Sequence, residues 1–439
     1  MSGRSPWGLT AWCWWARAFA IASLVHITLP DFDQAGWGWP ALVEGVGALW
    51  LLVRPHPMAF ALCAAGTAWT LIGLNDVLTQ SMYLTWVALV ALVGALWGRE
   101  RNALTAIRGL TAATYLLAAL HKINHDYLNP EISCAVHAWD VTVEYFRLPE
   151  VSRTLDPIMP VLSIALELAL AWLIWRGHPL RWVIGAVFHA PLTVTLAPAF
   201  AAVTMSGYVA GASPREAVMW RRLLSRPTLL IVAGIITATA TALGHGEIRW
   251  DHAPKMATLG ALAAGGLVIA FEGRPRWPRR LSPAAWVITG LWLAHGLTPY
   301  FGLQYQHTAA MLSNMRIDTA CHNSLIFPAG LVEPDPYLRI DAADFGGGQR
   351  PKRSAKLRAG LWSPTALHTM ARNWCVPHLR PITLEGTWRG QPFSIPDLCD
   401  PSWPLHVPTA GLWPSADTLP RYITLQKNLT RRCQTACIH

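Results

Sequence analysis

Apolar stretches separated by short polar breaks fill the first three hundred residues, at 10–29, 36–53, 58–77, 81–97, 103–121, 157–175, 182–205, 227–244, 256–272 and 281–299. Each is near the roughly 17–25 residues that an α-helix needs to cross the hydrocarbon of a bilayer. The pattern predicts an all-α polytopic membrane helix bundle of about 9–11 spans. The first run contains Arg17 and the triplet Ala18-Phe19-Ala20, so a cleaved signal peptide competes with an uncleaved span. Because the apolar stretch continues past Arg17 to Leu29, the uncleaved span is the better reading.

From about residue 300 the pattern changes. Pro, Arg, His and Asp become frequent, Gly346-Gly347-Gly348 marks a loop, and Arg421-Tyr422-Ile423-Thr424-Leu425 reads as a short strand. The expected organisation is a transmembrane helical domain over 1–299. Residues 300–439 then form a small, irregular, partly β extracytoplasmic region packed on it. No internal repeat is evident.

Composition sharpens this picture. Apolar residues make up 53% and charged residues only 14%, a balance uncommon in soluble chains. Trp50, Trp97 and Trp175 stand near the ends of apolar runs, where amphipathic rings settle at the membrane interface. Arg4, Arg54, Arg99, Arg101, Arg176, Arg181 and the Arg274–Arg280 cluster lie at the start or in short loops, while the 31–34 loop carries Asp31 and Asp33. The positive-inside rule places the basic loops in the cytoplasm. The net charge of +10 then reads as topology and contact with anionic membrane lipids, and no nucleic-acid pattern is present. The basic segment from Pro214 to Arg226 breaks the alternation unless the stretch from 182 to about 212, which holds Pro191 and Pro198, turns back as a hairpin. That repair leaves the C-terminus outside. The composition suits a bacterial inner membrane.

Of eight cysteines, Cys13 and Cys63 lie inside apolar runs and read as core residues. Cys134, Cys321, Cys375, Cys399, Cys433 and Cys437 all fall on the side assigned as outside, which suggests disulfides tying the 122–156 loop to the tail. No C-x-x-C occurs, so a quinone-linked thiol oxidoreductase ranks low.

The densest polar chemistry sits in ALHKINHDYLNPEISC, residues 119–134. With Asn129-Pro130 as a stop, residues 121–128 read as the last outer turns of the 103–121 helix. His121 and His125 then share a face, as do Lys122 and Asp126. Three readings stand side by side. Lys122 is an interfacial anchor paired with Asp126 and flanked by wet histidines; or His121 and His125 are two metal ligands; or Lys122 is a general base in a dry pocket, with His121 and His125 beside it. Lys122 follows His121 directly, where a zincin would carry glutamate, and no metal is expected.

The Leu120-His121-Lys122-Ile123-Asn124 turn resembles the short lysine motif of the vitamin K-dependent γ-carboxylase family. The segment HGLTPYFGLQYQHTAAMLSNMR, residues 295–316, is similar to a second block of that family. Together they look like the horizontally transferred transmembrane (HTTM) domain that the carboxylases share with many bacterial proteins. The resemblance implies an enzyme in which Lys122, matching the lysine base, deprotonates a reduced naphthoquinone. Oxygen then gives a strong alkoxide base, a γ-proton is removed from glutamate, and carbon dioxide adds. A lipid quinol entering from the bilayer would explain a base placed at the interface. His121 stands where the carboxylases have a second lysine, Asn124 replaces an acidic residue, and the tail is shorter than their peptide-binding region. The resemblance therefore leaves open glutamate carboxylation or a related quinol-linked reaction.

In the second block Tyr300 ends the last span and Gln304, Gln306 and His307 follow. Asn314 and Arg316, beside Met311, Leu312 and Met315, suit a helix on the outer face. Tyr300, Asn314 and Arg316 are candidate substrate-binding residues, although Asn314 and Arg316 read first as caps and anchors. Arg17, Glu44, Asp76, Arg108 and Glu167 are charges within or near spans and must find partners, Glu167 being the one least able to reach water. His189 and His295 read as core histidines. Two classes of function follow. One is a membrane enzyme of γ-carboxylase type, acting on a protein or peptide substrate at the outer face. The other is a non-catalytic membrane module that anchors or assembles a partner through its disulfide-bearing tail.

Overall fold

Helices occupy the apolar runs. A computed structural model describes residues 6–28, 38–73, 79–194, 200–245, 253–272, 282–301, 308–310, 312–318, 320–329, 337–345, 351–362, 367, 381–388, 390–400, 429–434 and 437. The 31–34 loop, Asp76, Pro198, the Arg274–Arg280 cluster, Gln304, Gln306, His307, Met311, Gly346–Gly348, Cys375 and the 421–425 run lie outside them.

The helices are α1 (Pro6–His26), α2 (Gly38–Val53), α3 (Pro57–Gly73), α4 (Thr79–Leu96), α5 (Glu100–His121), α6 (His125–Leu128) and α7 (Cys134–Tyr145). A 3₁₀ segment, Glu150–Ile158, leads into α8 (Met159–Arg176). Then come α9 (Arg181–Val194), α10 (Phe200–Ala210), α11 (Pro214–Ser225), α12 (Thr228–His245), α13 (Ala253–Glu272) and α14 (Pro283–Gly296). Pro160 near the start of α8 and left-handed Gly177 at its end are ordinary helix punctuation. The long apolar stretch from 182 is divided into α9 and α10, which pack on each other.

Helix α5 is the hub of the bundle: it packs against α8, α14, α4 and α10. Around it α2 pairs with α3, α3 with α4, and α12 with α13. The α2–α3 seam is close because Gly66 faces Glu44; a Cβ at Gly66 would lie 2.7 Å from the Glu44 backbone nitrogen. An aromatic cluster of Trp12, Trp15, Phe19 and Phe60 fills the contact of α1 with α3. The outward faces are apolar as well. Helix α12 exposes Leu229, Ile231, Val232, Ile235, Ile236 and Leu243, and α2 exposes Trp39, Leu42, Val46, Leu49 and Val53.

Among the described residues three helical stretches are long and apolar enough to cross a membrane: Glu100–His121, Glu150–Arg176 and Ala253–Glu272. There are up to four if α11 and α12, bent by 76° at their junction, form one span. Helices α2, α3, α4 and α10 are apolar but shorter.

Beyond residue 336 the chain forms a small antiparallel sheet. Its strands are β1 (Leu338–Asp344), β2 (Gly360–Trp362), β3 (Thr383–Trp388), β4 (Gln391–Ile395) and β5 (Leu429–Thr430), in the order β4-β3-β1-β2-β5. Helix α15 (Pro351–Ala359) covers it. Leu338, Ile340, Leu357, Leu384 and Ile395 make its apolar core.

Candidate functional site

The polar turn after α5 is a break between two helices. Helix α5 stops at His121, Lys122 is its C-cap, and Asn124 adopts an extended backbone (φ −146°, ψ 160°) that starts α6. This corrects the expectation of one helix continuing through 121–128. The reason lies in Asn124. Its Oδ1 accepts from the Tyr127 N–H at 2.8 Å, while its Nδ2 donates to the carbonyls of His121 at 2.8 Å and Ser313 at 2.7 Å. One side chain thus ends one helix, begins the next and ties both to a distant segment. Replacing Asn124 with alanine is expected to cost about 1–3 kcal/mol, since it removes a cap and strands two carbonyls. A thermal unfolding comparison with Asn124→Asp, which keeps the cap alone, checks this.

The break turns the residues apart. His125 is exposed on α6, whereas His121 is fully buried, its Nδ1 2.9 Å from Tyr300 Oη and its Nε2 3.1 Å from the Thr308 carbonyl. The two histidines do not form a shared face. Among the described residues no group of three His, Cys, Asp or Glu side chains is placed to hold a metal.

Lys122 is buried, and its Nζ donates to Glu167 Oε1 of α8 at 2.6 Å. The anchor reading required Asp126 as its partner; Asp126 instead accepts from Asn323 Nδ2 at 2.8 Å. Burial pushes the Asp126 carboxyl above its ordinary range, against the opposing pull of that amide and of Arg316. Lys122 and Glu167 stand in the wall of a cavity of ≈ 330 Å³. The rest of the wall is mostly apolar, with Ala118, Met159, Leu166 and Phe188 among its residues. Leu155, Leu162 and Val187 belong both to this wall and to the exposed surface of the bundle.

The described residues of segment 308–329 roof the turn. His125 N–H donates to the Asn323 carbonyl at 3.0 Å, and Leu325 N–H to the Ile123 carbonyl at 3.2 Å. Residues 312–317 are not helical, contrary to the outer-face helix expected there. Leu312 and Asn314 have positive φ, 56° and 51°, which suits asparagine and interrupts a helix. Asn314 Oδ1 accepts from the Cys134 N–H at 2.7 Å and its Nδ2 donates to the Ile132 carbonyl at 2.9 Å. Arg316 forms a two-pronged pair with Asp318 at 2.9 and 3.0 Å and donates to the carbonyls of Thr430 and Arg432. Both side chains hold backbone and lie outside the cavity wall. Two disulfides complete the strap: Cys134–Cys437 and Cys321–Cys433. Cys399 is also disulfide-bonded, and Cys13 and Cys63 are free.

No family model, curated protein or solved structure matches this chain.

Sequence reasoning missed several buried polar contacts. Arg181, read as a loop cation, is fully buried against Glu216 at 2.6 Å, which also accepts from Trp182 Nε1. Glu44 accepts from His26 Nδ1 at 3.0 Å, and His26 Nε2 lies 2.7 Å from Ser81 Oγ. The hydroxyl, imidazole and carboxylate follow the order of a nucleophilic triad, yet all three are fully buried and tie α1, α2 and α4 together. His189 is 2.6 Å from Tyr115 Oη, which in turn meets Tyr208 Oη. Arg17 Nε donates to the Leu52 carbonyl. Each pair joins residues from different helices, so no local spacing signals it.

Proposed function

We propose that this chain is a polytopic membrane enzyme of the γ-carboxylase-like, HTTM type, in which Lys122 serves as base toward a reduced lipid quinone at the outer interface. One observation carries the reading: a buried lysine, held by a buried carboxylate, stands in the wall of an otherwise apolar cavity. Ionisable groups in such surroundings are functional candidates by default.

The cavity suits the group. Its ≈ 330 Å³ falls within the range of about 300–1,000 Å³ usual for small-molecule sites. A wall shared with the exposed apolar surface, at Leu155, Leu162 and Val187, fits entry from a lipid phase. A bound reduced naphthoquinone would supply the reducing power for oxygen chemistry. The chain's own part is to hold the ring among apolar side chains, exclude water and move a proton at the Lys122–Glu167 pair. The apolar outer faces of α2 and α12 support a lipid setting. The two strap disulfides suit an oxidising compartment and so an external tail. The alternative module, with no chemistry of its own, called for an exposed Lys122 paired with Asp126; neither feature is present.

The protein purified with native lipids is expected to carry a quinone detectable by mass spectrometry. Ala118→Trp, which fills the cavity, is expected to lose it while remaining folded. Purified protein free of quinone, and unchanged by added naphthoquinone, would contradict the proposal.

A further inference from the structure

One short stretch of the tail is fastened twice. Cys433 and Cys437, with three residues between them, are bridged to Cys321 and Cys134 respectively. While Cys321–Cys433 is closed, Cys437 stays within reach of Cys134 whether or not their own bridge is formed. The second bridge can therefore open without releasing the tail. The two bridges also differ in their surroundings. Neither Cys321 nor Cys433 belongs to the cavity wall, whereas Cys134 does. Cys134 shares an apolar cluster with Tyr127, Ala135, Met159 and Leu312, all of them wall residues. Cys437 packs against that cluster and is only half-buried. Tyr127 connects the bridge with the proposed base, since Lys122 Nζ lies 5.8 Å from its ring centroid. Cys134–Cys437 thus runs from the wall of the cavity to a partly accessible place in the tail. A disulfide with such ends can exchange with a thiol on one side and meet a ligand on the other.

We infer that Cys134–Cys437 is a redox pair serving the cavity: an external dithiol opens it, and an oxidised quinone bound in the cavity closes it again and becomes quinol. The inference rests on the reading of the cavity as a quinone site, and it supplies the reduced form on which Lys122 acts. An external thiolate attacks Cys437 Sγ, the S–S bond breaks, and its electron pair leaves on Cys134 Sγ. The second thiol of the donor then attacks the mixed disulfide and releases Cys437. The donor leaves as its own disulfide, and its two protons end on the cysteine pair. Once freed, Cys134 needs only a turn about χ1 to bring its sulfur from Cys437 toward the cavity that the residue lines. Two electrons and two protons pass from the pair to the quinone, the S–S bond re-forms, and both quinone carbonyls become hydroxyls. In sum one dithiol and one quinone are consumed, and one disulfide and one quinol are formed. No other oxidant or reductant enters. A search for C-x-x-C does not find this pair because its members are 303 residues apart.

The test gives the full chain in detergent, without oxygen, a reduced two-cysteine peptide and 2,3-dimethyl-1,4-naphthoquinone, whose substituted ring resists thiol addition. Quinol is read by absorbance and peptide disulfide by mass spectrometry. Wild type is expected to form the two in equal amounts, above the rate without protein. Cys134→Ser/Cys437→Ser is expected to fall to that background. Ala118→Trp, which keeps both bridges and fills the cavity, is expected to fall to it as well. Alkylation and mass spectrometry of wild type keep the test sharp if the cysteine variant does not fold. Peptide alone is expected to make Cys134 and Cys437 alkylatable, and quinone added before the alkylating agent is expected to remove that label. In Ala118→Trp the label is expected to stay. Quinol formation that is equal in wild type and Ala118→Trp, or that proceeds with Cys134–Cys437 closed throughout, overturns the inference. Protein that binds quinone but oxidises no thiol also overturns it and leaves the proposed function standing. Thiol-driven quinol formation through the pair, in a protein that consumes no oxygen, would uphold it and end the reading of Lys122 as base. Protein that binds no quinone overturns both.

Discussion

Lys122→Ala is expected to destabilise the protein by about 3–5 kcal/mol, the loss typical when one member of a buried ion pair is removed. Glu167 then keeps a buried carboxylate with neither oxygen satisfied, because Oε2 already has no partner and the nearby Tyr127 hydroxyl is engaged with Ser163. Glu167→Ala is expected to cost a similar amount for the mirrored reason. The double variant Lys122→Met/Glu167→Leu removes both charges at nearly constant volume. It is expected to return to within about 1 kcal/mol of wild type, or above it. A double-mutant cycle of unfolding temperatures at one scan rate measures the coupling. Additive losses would mean that the two side chains do not depend on each other. The double variant also separates architecture from chemistry, since it is expected to fold without supporting any reaction that needs the pair.

Removing the strap disulfides is the second large effect. Cys134–Cys437 closes a sequence separation of 303 residues and Cys321–Cys433 one of 112. Loops of this length carry a chain-entropy stabilisation of roughly 5–6 kcal/mol, and measured losses for native bridges run about 2–5 kcal/mol. Each paired Cys→Ser variant is therefore expected to unfold at clearly lower temperature than wild type, and reductant is expected to reproduce the combined loss. The two should differ in function. Cys134 belongs to the cavity wall, whereas Cys321 and Cys433 do not. Cys134→Ser/Cys437→Ser is expected to weaken ligand binding more than Cys321→Ser/Cys433→Ser at equal loss of stability. Unfolding insensitive to reductant would contradict the role given to the strap.

The helices were the legible part. Apolar runs at 36–53, 81–97 and 103–121 correspond to α2, α4 and α5 within a few residues, because continuous apolar sequence of that length has few other ways to satisfy its backbone. The sequence also singled out Glu167 as a charge unable to reach water, and paired the 122–156 loop with the tail through cysteines, as Cys134–Cys437 does. The partner of Lys122 was not legible. Asp126 offered an i,i+4 contact, and nothing local signalled that Asn124 would cap a new helix and carry Asp126 toward Asn323. Asparagine directly before a short polar run is an N-cap signal, and it was the clue available. Glu167 lies 45 residues away on α8, a contact that only the packing of α5 on α8 creates. Asn314 and Arg316 were expected on a helix because apolar neighbours surround them. Their side chains are spent on backbone groups of the strap, a role set by the disulfide-linked tail.

Oxygen consumption after addition of reduced naphthoquinone, compared between wild type and Lys122→Met/Glu167→Leu, decides whether the buried pair carries out chemistry. Wild type is expected to take up oxygen, and the rate is expected to fall by about 100-fold or more in the folded double variant, the scale of a lost general base. Equal rates in the two proteins, or a folded, quinone-loaded wild type that consumes no oxygen, would contradict it.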